Sequence, residues 1–269
     1  MPSQTPSQTP TILALDFDGV LCNGLIEYFQ TAWRAYCKIR SRSNLTPPEG
    51  LAESFYRLRP VIETGWEMPV LIEAQLQGIS EAEILQNWSE IAQTLVERYD
   101  LDKATVAATL DGTRDEWIAA DLPGWLSLHQ FYPGVVERLR GVIDSDVLPV
   151  IITTKEGRFV RSLLAGEGIE LPPQQLFGKE TKKPKYQILR ELRDRYTTSE
   201  STPVIWFIED RLKTLQLVSQ QPDLNEIELF LADWGYNTQR TRDFVANDTY
   251  IRFHLLTLKK FKSDFQVWL

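Results

Sequence analysis

Thr11-Ile12-Leu13-Ala14-Leu15-Asp16-Phe17-Asp18-Gly19-Val20-Leu21 is the stretch on which the reading of the chain turns. Its first half is a short apolar run of the kind that fills a buried parallel strand. The run ends abruptly in two carboxylates, Asp16 and Asp18, separated by one residue. In open α/β sheets ligands bind outside the carboxyl ends of the strands, so both acids are expected to project into a site. Side chains at i and i+2 of a strand share a face, which lets one acid attack while its neighbour handles the proton. Carboxylates this close repel, and a bound divalent cation is the usual remedy. Gly19 then lets the chain leave the strand sharply and approach a ligand closely.

Working outward, the 269 residues have room for one large domain or for a core plus a smaller second domain. Apolar content of 43% and charged content of 25% are those of an ordinary water-soluble globular protein. A net charge of −8 argues against a nucleic-acid-binding surface, which needs clustered Lys and Arg. It leaves a phosphate-bearing small molecule open, because a metal and a few local cations reverse the field in one cleft. Cys22 and Cys37, the only cysteines, form neither a disulfide framework nor a four-cysteine zinc site, and they fit a reducing cytoplasm. His129 and His254 are the only histidines, too few for a His-rich metal site. The opening residues lack the basic and apolar regions of a signal peptide, and residues 1–10 are expected to form a disordered tail. No apolar run approaches the ~20 residues that span a membrane, so no membrane partner is expected.

After Leu21 the period changes. Phe29, Ala32, Trp33, Tyr36 and Cys37 make one apolar stripe of an amphipathic helix. Further helices are expected near 51–59 and 67–77, from Ser80 (a capping box with Glu83), and from Asp102 toward Ala119. Residues 24–127 therefore read as a helical insertion, and 11–23 with 128–269 as an α/β core. Strand–helix alternation resumes near Phe131, with a helix over about 134–143 and an apolar strand at 147–152 ending in Thr153-Thr154-Lys155. Hydroxyls at a strand end beside free backbone N–H groups suit a phosphoryl oxygen. Another helix follows over about 157–166, then the basic run 179–185. The strand Pro203–Ile208 ends in a second acidic pair, Glu209-Asp210. Two more strands, at 227–233 and near 250–255, bracket Trp234-Gly235-Tyr236-Asn237, and a helix carrying Leu258, Phe261 and Phe265 closes the chain.

The order Asp-x-Asp, Thr, Lys, Glu-Asp, each at or after an apolar strand, resembles the haloacid dehalogenase (HAD) superfamily. The resemblance implies a Rossmann-like parallel-sheet core with a helical cap inserted after the first motif. It implies a Mg²⁺-dependent phosphatase acting on a small phosphorylated metabolite through an aspartyl-phosphate, with Asp16 as nucleophile and Asp18 as general acid–base. Thr153, with Thr154 and Gly19 beside it, is expected to hold the phosphoryl group. Lys185 precedes its helix's apolar residues by the usual three or four positions and is preferred as the neutralising lysine, while Lys183 fits the Lys-Pro form and stays a candidate. Asp16, the Asp18 carbonyl and Asp210 are the implied metal ligands. Thr214 stands where a further Asp is common, so Glu209 or a water is the candidate for the remaining position. Arg57 and Arg59 are expected to offer one guanidinium to a substrate carboxylate or second phosphate. A phosphomutase of the same fold and a non-enzymatic phospho-aspartate switch or scaffold are the alternatives. No G-x-x-x-x-G-K-[ST] or G-x-G-x-x-G fingerprint is present, so NTPase and dinucleotide readings lack their signatures.

Overall fold

The computed structural model describes residues 9–247 and 252–269. The expected tail lies outside the described residues up to position 8, as does the start of the strand expected near Tyr250. The chain divides into two compact units, Gly24–His129 and the remainder, and the last helix of the first ends at Leu126.

The α/β unit is built on a six-stranded parallel sheet. Its strands are β1 (Ile12–Leu15), β4 (Leu148–Ile152), β5 (Leu176–Phe177), β6 (Ile205–Glu209), β7 (Glu228–Ala232) and β8 (Phe253–Leu256), in the order β5-β4-β1-β6-β7-β8. β1 is central because its neighbours cover both of its edges and helices cover both of its faces, which is why it reads as an unbroken apolar run. On one face Ile12 and Ala14 join Val150, Ile152, Ile205 and Phe207 in a core. Ile188, Leu189 and Leu192 of α9 (Lys185–Tyr196) and Leu215 and Val218 of α10 (Leu212–Ser219) close that core. On the other face Trp206 packs 5.0 Å from Phe230 and 5.5 Å from Trp268, ring centre to ring centre. The C-terminal helix is shorter than the sequence pattern suggests. Thr257 caps a single turn at Leu258–Phe261, and Phe265 belongs to a separate 3₁₀ turn. A two-stranded antiparallel ribbon, β2 (Cys22–Asn23) with β3 (Gln130–Phe131), marks where the chain leaves this unit and returns to it.

The helical unit contains α1 (Leu25–Ile39), α2 (Leu51–Leu58), α3 (Glu67–Leu76), α4 (Glu81–Arg98), α5 (Lys103–Ala120) and the short α6 (Leu122–Leu126). The α1 stripe is buried along its whole length. Ser80 Oγ accepts from the Glu83 N–H and Asp102 from the Thr105 N–H, satisfying two otherwise orphaned donors at the helix starts. Buried Glu27 is matched by Arg114 at 2.7 Å and further satisfied by Thr31 and the Trp125 indole. Among the described residues no helix is long and apolar enough to cross a membrane.

Candidate active site

The register of the sheet assembles the site. Leu15 lies opposite Ile208 of β6 and Ile151 of β4, so one step on, Asp16 stands beside Glu209 at the carboxyl ends of adjacent strands. The Asp16 N–H donates to the Ile208 carbonyl at 2.9 Å, which continues the ladder through the acid. Phe17 points the opposite way into the core, edge-on to Phe131, and leaves Asp16 and Asp18 together on the other side. Immediately afterwards the Phe17 carbonyl accepts from the N–H groups of Leu21 and Cys22, closing the tight loop for which Gly19 is needed.

Asp16, Glu209 and Asp210 are all buried, and a carboxylate oxygen from each lies within 4.8 Å of the others. Lys185, at the first turn of α9, places Nζ 2.8 Å from Asp16 Oδ1 and 2.7 Å from Glu209 Oε2. Burial pushes the Asp16 carboxyl up to about 7; Glu209 adds to that and Lys185 opposes it. Burial likewise raises Glu209 and Asp210. Burial alone would lower the Lys185 ammonium, but Asp16 and Glu209 more than offset it, and its proton is held more tightly than in water. Lys185 thus faces two of the three buried acids and the charge of Arg211 acts on the third, Asp210, so acids still outnumber cations in the cluster. Asp16 Oδ1 is a buried oxygen to which no group among the described residues donates a hydrogen bond, since Lys185 approaches it off the hydrogen-bonding direction. A cluster of hard carboxylate oxygens with one of them unsatisfied fits a small divalent cation such as Mg²⁺.

The residues that the resemblance implies as metal ligands differ in their surroundings. Both oxygens of Glu209 are already engaged, Oε2 by Lys185 and Oε1 by the Arg211 N–H at 3.1 Å. Asp210 is held by the Tyr236 N–H, 2.7 Å from Oδ2, and its backbone carbonyl accepts from the Asn237 amide. The Asp18 carboxylate lies outside the cluster and pairs instead with Lys155, Nζ to Oδ1 at 3.3 Å. Thr153 is buried at the end of β4, with its N–H on the Phe177 carbonyl, whereas Thr154 is exposed. Thr154 therefore offers no enclosed contact of its own.

Lys183, the other candidate in the basic run, is a surface residue paired with Glu191 at 2.6 Å. The backbone explains the choice: Pro184 ends the extended segment, and α9 starts at Lys185, so only the later lysine turns into the acids. Arg57 is likewise spent elsewhere, since Nε and Nη2 both bind Glu81 in a two-point fork. Arg59 donates to the Ile62 carbonyl and lies over the Tyr28 ring. Neither arginine, as placed within the helical unit, presents an uncommitted fork to a substrate anion.

Neither Lys155 nor the depth of the glycine requirement is marked by a local signal in the sequence. Gly19 has φ +87°, and a Cβ there would fall 2.1 Å from Asp210 Oδ2; a Cβ on Gly235 would fall 2.2 Å from Asp210 Cβ. Two glycines from separate loops thus let the backbone close around one carboxylate. Gly168, also at positive φ but with open space around it, provides the control. Gly168→Ala should cost about 1–2 kcal/mol of backbone strain in urea unfolding. Gly19→Ala should cost clearly more, because its Cβ would also meet the Asp210 carboxylate. Equal losses in the two variants would mean that the close approach to Asp210 carries no energetic weight.

No family model matches the sequence, and no curated protein matches it. Solved structures do. A provisionally assigned phosphatase from Clostridium difficile superposes with a TM-score of 0.59 at 12% identity, over 95% of this chain and 98% of its own. A predicted phosphoglycolate phosphatase from Haemophilus somnus gives 0.55 at 14% identity, over 85% and 88%. Protein Tyrosine Kinase A of Mycobacterium tuberculosis gives 0.53 at 15% identity, over 94% and 96%. Proteins named for different reactions share this architecture, so likeness at such identity speaks for the fold, and the chemistry has to be read from the site. The parallel sheet, the helical unit inserted after the first strand and the acidic ends of β1 and β6 together make this chain a protein of the haloacid dehalogenase-like fold.

Proposed function

We propose that the protein is a Mg²⁺-dependent phosphatase that hydrolyses a small phosphomonoester through an aspartyl-phosphate on Asp16. The observation that carries this reading is the meeting of two acidic strand ends around one lysine: Asp16, Glu209 and Asp210 within 4.8 Å, with Lys185 against the first two. An Asp16 oxygen bonds to phosphorus in line with the departing oxygen. The old P–O bond breaks as Asp18 delivers a proton to the leaving group. Water then attacks phosphorus, its proton passes to Asp18, and the bond to Asp16 breaks to release inorganic phosphate. Lys185 and the buried Thr153 hydroxyl hold the equatorial oxygens. Asp16 and Asp210 would hold Mg²⁺, which would supply charge neutralisation for the phosphoryl oxygens and favour the ionised form of Asp16.

The deciding experiment is a screen of purified protein, with Mg²⁺ or with EDTA, against sugar phosphates, nucleotides, phosphoglycolate and p-nitrophenyl phosphate. Mg²⁺-dependent phosphate release from at least one of them is expected, and silence across the panel would sink the reading. The metal has a second readout in stability. With the folded Asp16 near 7 and its unfolded value at 3.8, the folded state holds the extra proton between those values. Metal-free stability should therefore fall as pH rises through that window. Mg²⁺ displaces no proton once Asp16 is ionised, so it should raise Tm more at pH 7.5 than at pH 5. Asp210→Asn should raise the Mg²⁺ concentration needed more than Glu209→Gln does. The reverse order would transfer the ligand role to Glu209.

A further inference from the structure

Lys155 stands outside the roles assigned above, yet it touches two of the groups that the chemistry uses. Its Nζ lies 3.3 Å from Asp18 Oδ1, with only 8% of the lysine side chain and 18% of the aspartate side chain exposed. Its backbone N–H donates to Thr153 Oγ1 at 3.1 Å. Its carbonyl accepts from the Lys179 N–H at 2.9 Å, which ties the loop after β4 to the basic segment beyond Gly178. The backbone of Lys155 is thus fixed on both sides, and the side chain runs from that anchored point to Asp18. A buried lysine anchored in this way restricts where the carboxylate can sit. The same residue fixes the Thr153 hydroxyl: with a lone pair occupied by the Lys155 N–H, its own hydrogen is left to donate to a phosphoryl oxygen.

We propose that Lys155 is a positioning residue that aims the Asp18 carboxyl at the leaving-group oxygen, while its backbone aims Thr153 at the phosphoryl group. This rests on the phosphatase reading, with Asp18 as the proton donor. Orientation of this kind matters because misplacement by about 1 Å can cost on the order of 10²-fold in rate. Its signature is selective. Loss of aim should matter most where the departing oxygen needs the proton most.

The test uses the full chain with Mg²⁺ and two probes of the same shape, phenyl phosphate and p-nitrophenyl phosphate, in single-turnover assays. Lys155→Met should lower the phenyl-to-nitrophenyl rate ratio by about tenfold or more, acting on kcat rather than on KM. Lys155→Arg, which keeps the charge, should restore much of that ratio. In an Asp18→Asn background Lys155→Met should leave the ratio where Asp18→Asn alone put it, since the two act as one unit. Equal losses on both probes, or a rise confined to KM, would overturn the proposal and make Lys155 a phosphate-binding or purely structural residue. Full additivity with Asp18→Asn would overturn it as well. The underlying reading fails separately: in that case Asp18→Asn alone leaves the ratio unchanged, or the wild type hydrolyses neither probe.

Discussion

Asp16→Asn should reduce phosphate release to less than about a hundredth of the wild-type single-turnover rate, because an amide oxygen cannot serve as the attacking nucleophile. The same variant should fold at least as stably as the wild type in EDTA at pH 8. Asp16 is buried beside Glu209 and Asp210, and burial together with Glu209 disfavours its ionised form. Replacing the carboxylate by a neutral isostere of the same shape removes a charge that the metal-free fold holds at a cost. Activity and stability are therefore expected to move in opposite directions. A folding defect lowers both, so circular dichroism melts run beside the rate assay separate the two explanations. Retention of more than about a hundredth of the rate by a well-folded variant would remove Asp16 from the nucleophile role.

What could be read from the sequence follows from which interactions are local. β1 was legible because four consecutive buried residues, Ile12–Leu15, precede the acids without a polar interruption. β4, β6 and β7 are apolar over most of their length for the same reason, since helices cover both faces of the sheet. The α8 span Gly157–Gly166 and the capped starts of α4 and α5 also rest on local periodicity and short-range caps. Less legible were features fixed by distant partners. β5 is a two-residue edge strand, and the β2–β3 ribbon pairs residues more than a hundred positions apart. Such pairings leave no repeat in the sequence. Nothing local marks Lys155, because its partner, Asp18, is 137 positions away. The choice between Lys183 and Lys185 depended on where α9 begins, and element boundaries are the weakest part of any pattern reading. Arg57 illustrates the opposite error. Its charge density suggests a ligand, but Glu81, the first residue of α4, already satisfies it. A sequence shows that a charge exists, and only the fold shows whether it is spent.

Lys185→Met should be the other severe variant, and its loss should have a different physical character. The lysine is the cation closest to two of three buried carboxylates, at 2.8 Å from Asp16 and 2.7 Å from Glu209. Met keeps much of the length and apolar stem while removing the charge. Removing one preorganised donor to a developing oxyanion typically costs ~10²–10³ in kcat, and a full positive charge on the phosphoryl oxygens belongs at the upper end. The fold should suffer too, because truncating one partner of a buried ion pair costs about 3–5 kcal/mol when the other charge stays uncompensated. That cost has a pH sign. Without the ammonium, Asp16 and Glu209 will ionise less readily than they do now, so the folded state retains protons to still higher pH. Stability in EDTA should therefore be closest to wild type near pH 5 and fall progressively toward pH 8. Mg²⁺ should restore part of the stability at pH 8, since it supplies positive charge to the same acids, without restoring the rate to the wild-type level. Urea unfolding at the two pH values, with and without Mg²⁺, reads all of these outcomes. A variant whose stability deficit is the same at pH 5 and pH 8 would show that Lys185 supports the site by packing, and its role as the counter-ion of Asp16 and Glu209 would have to be abandoned.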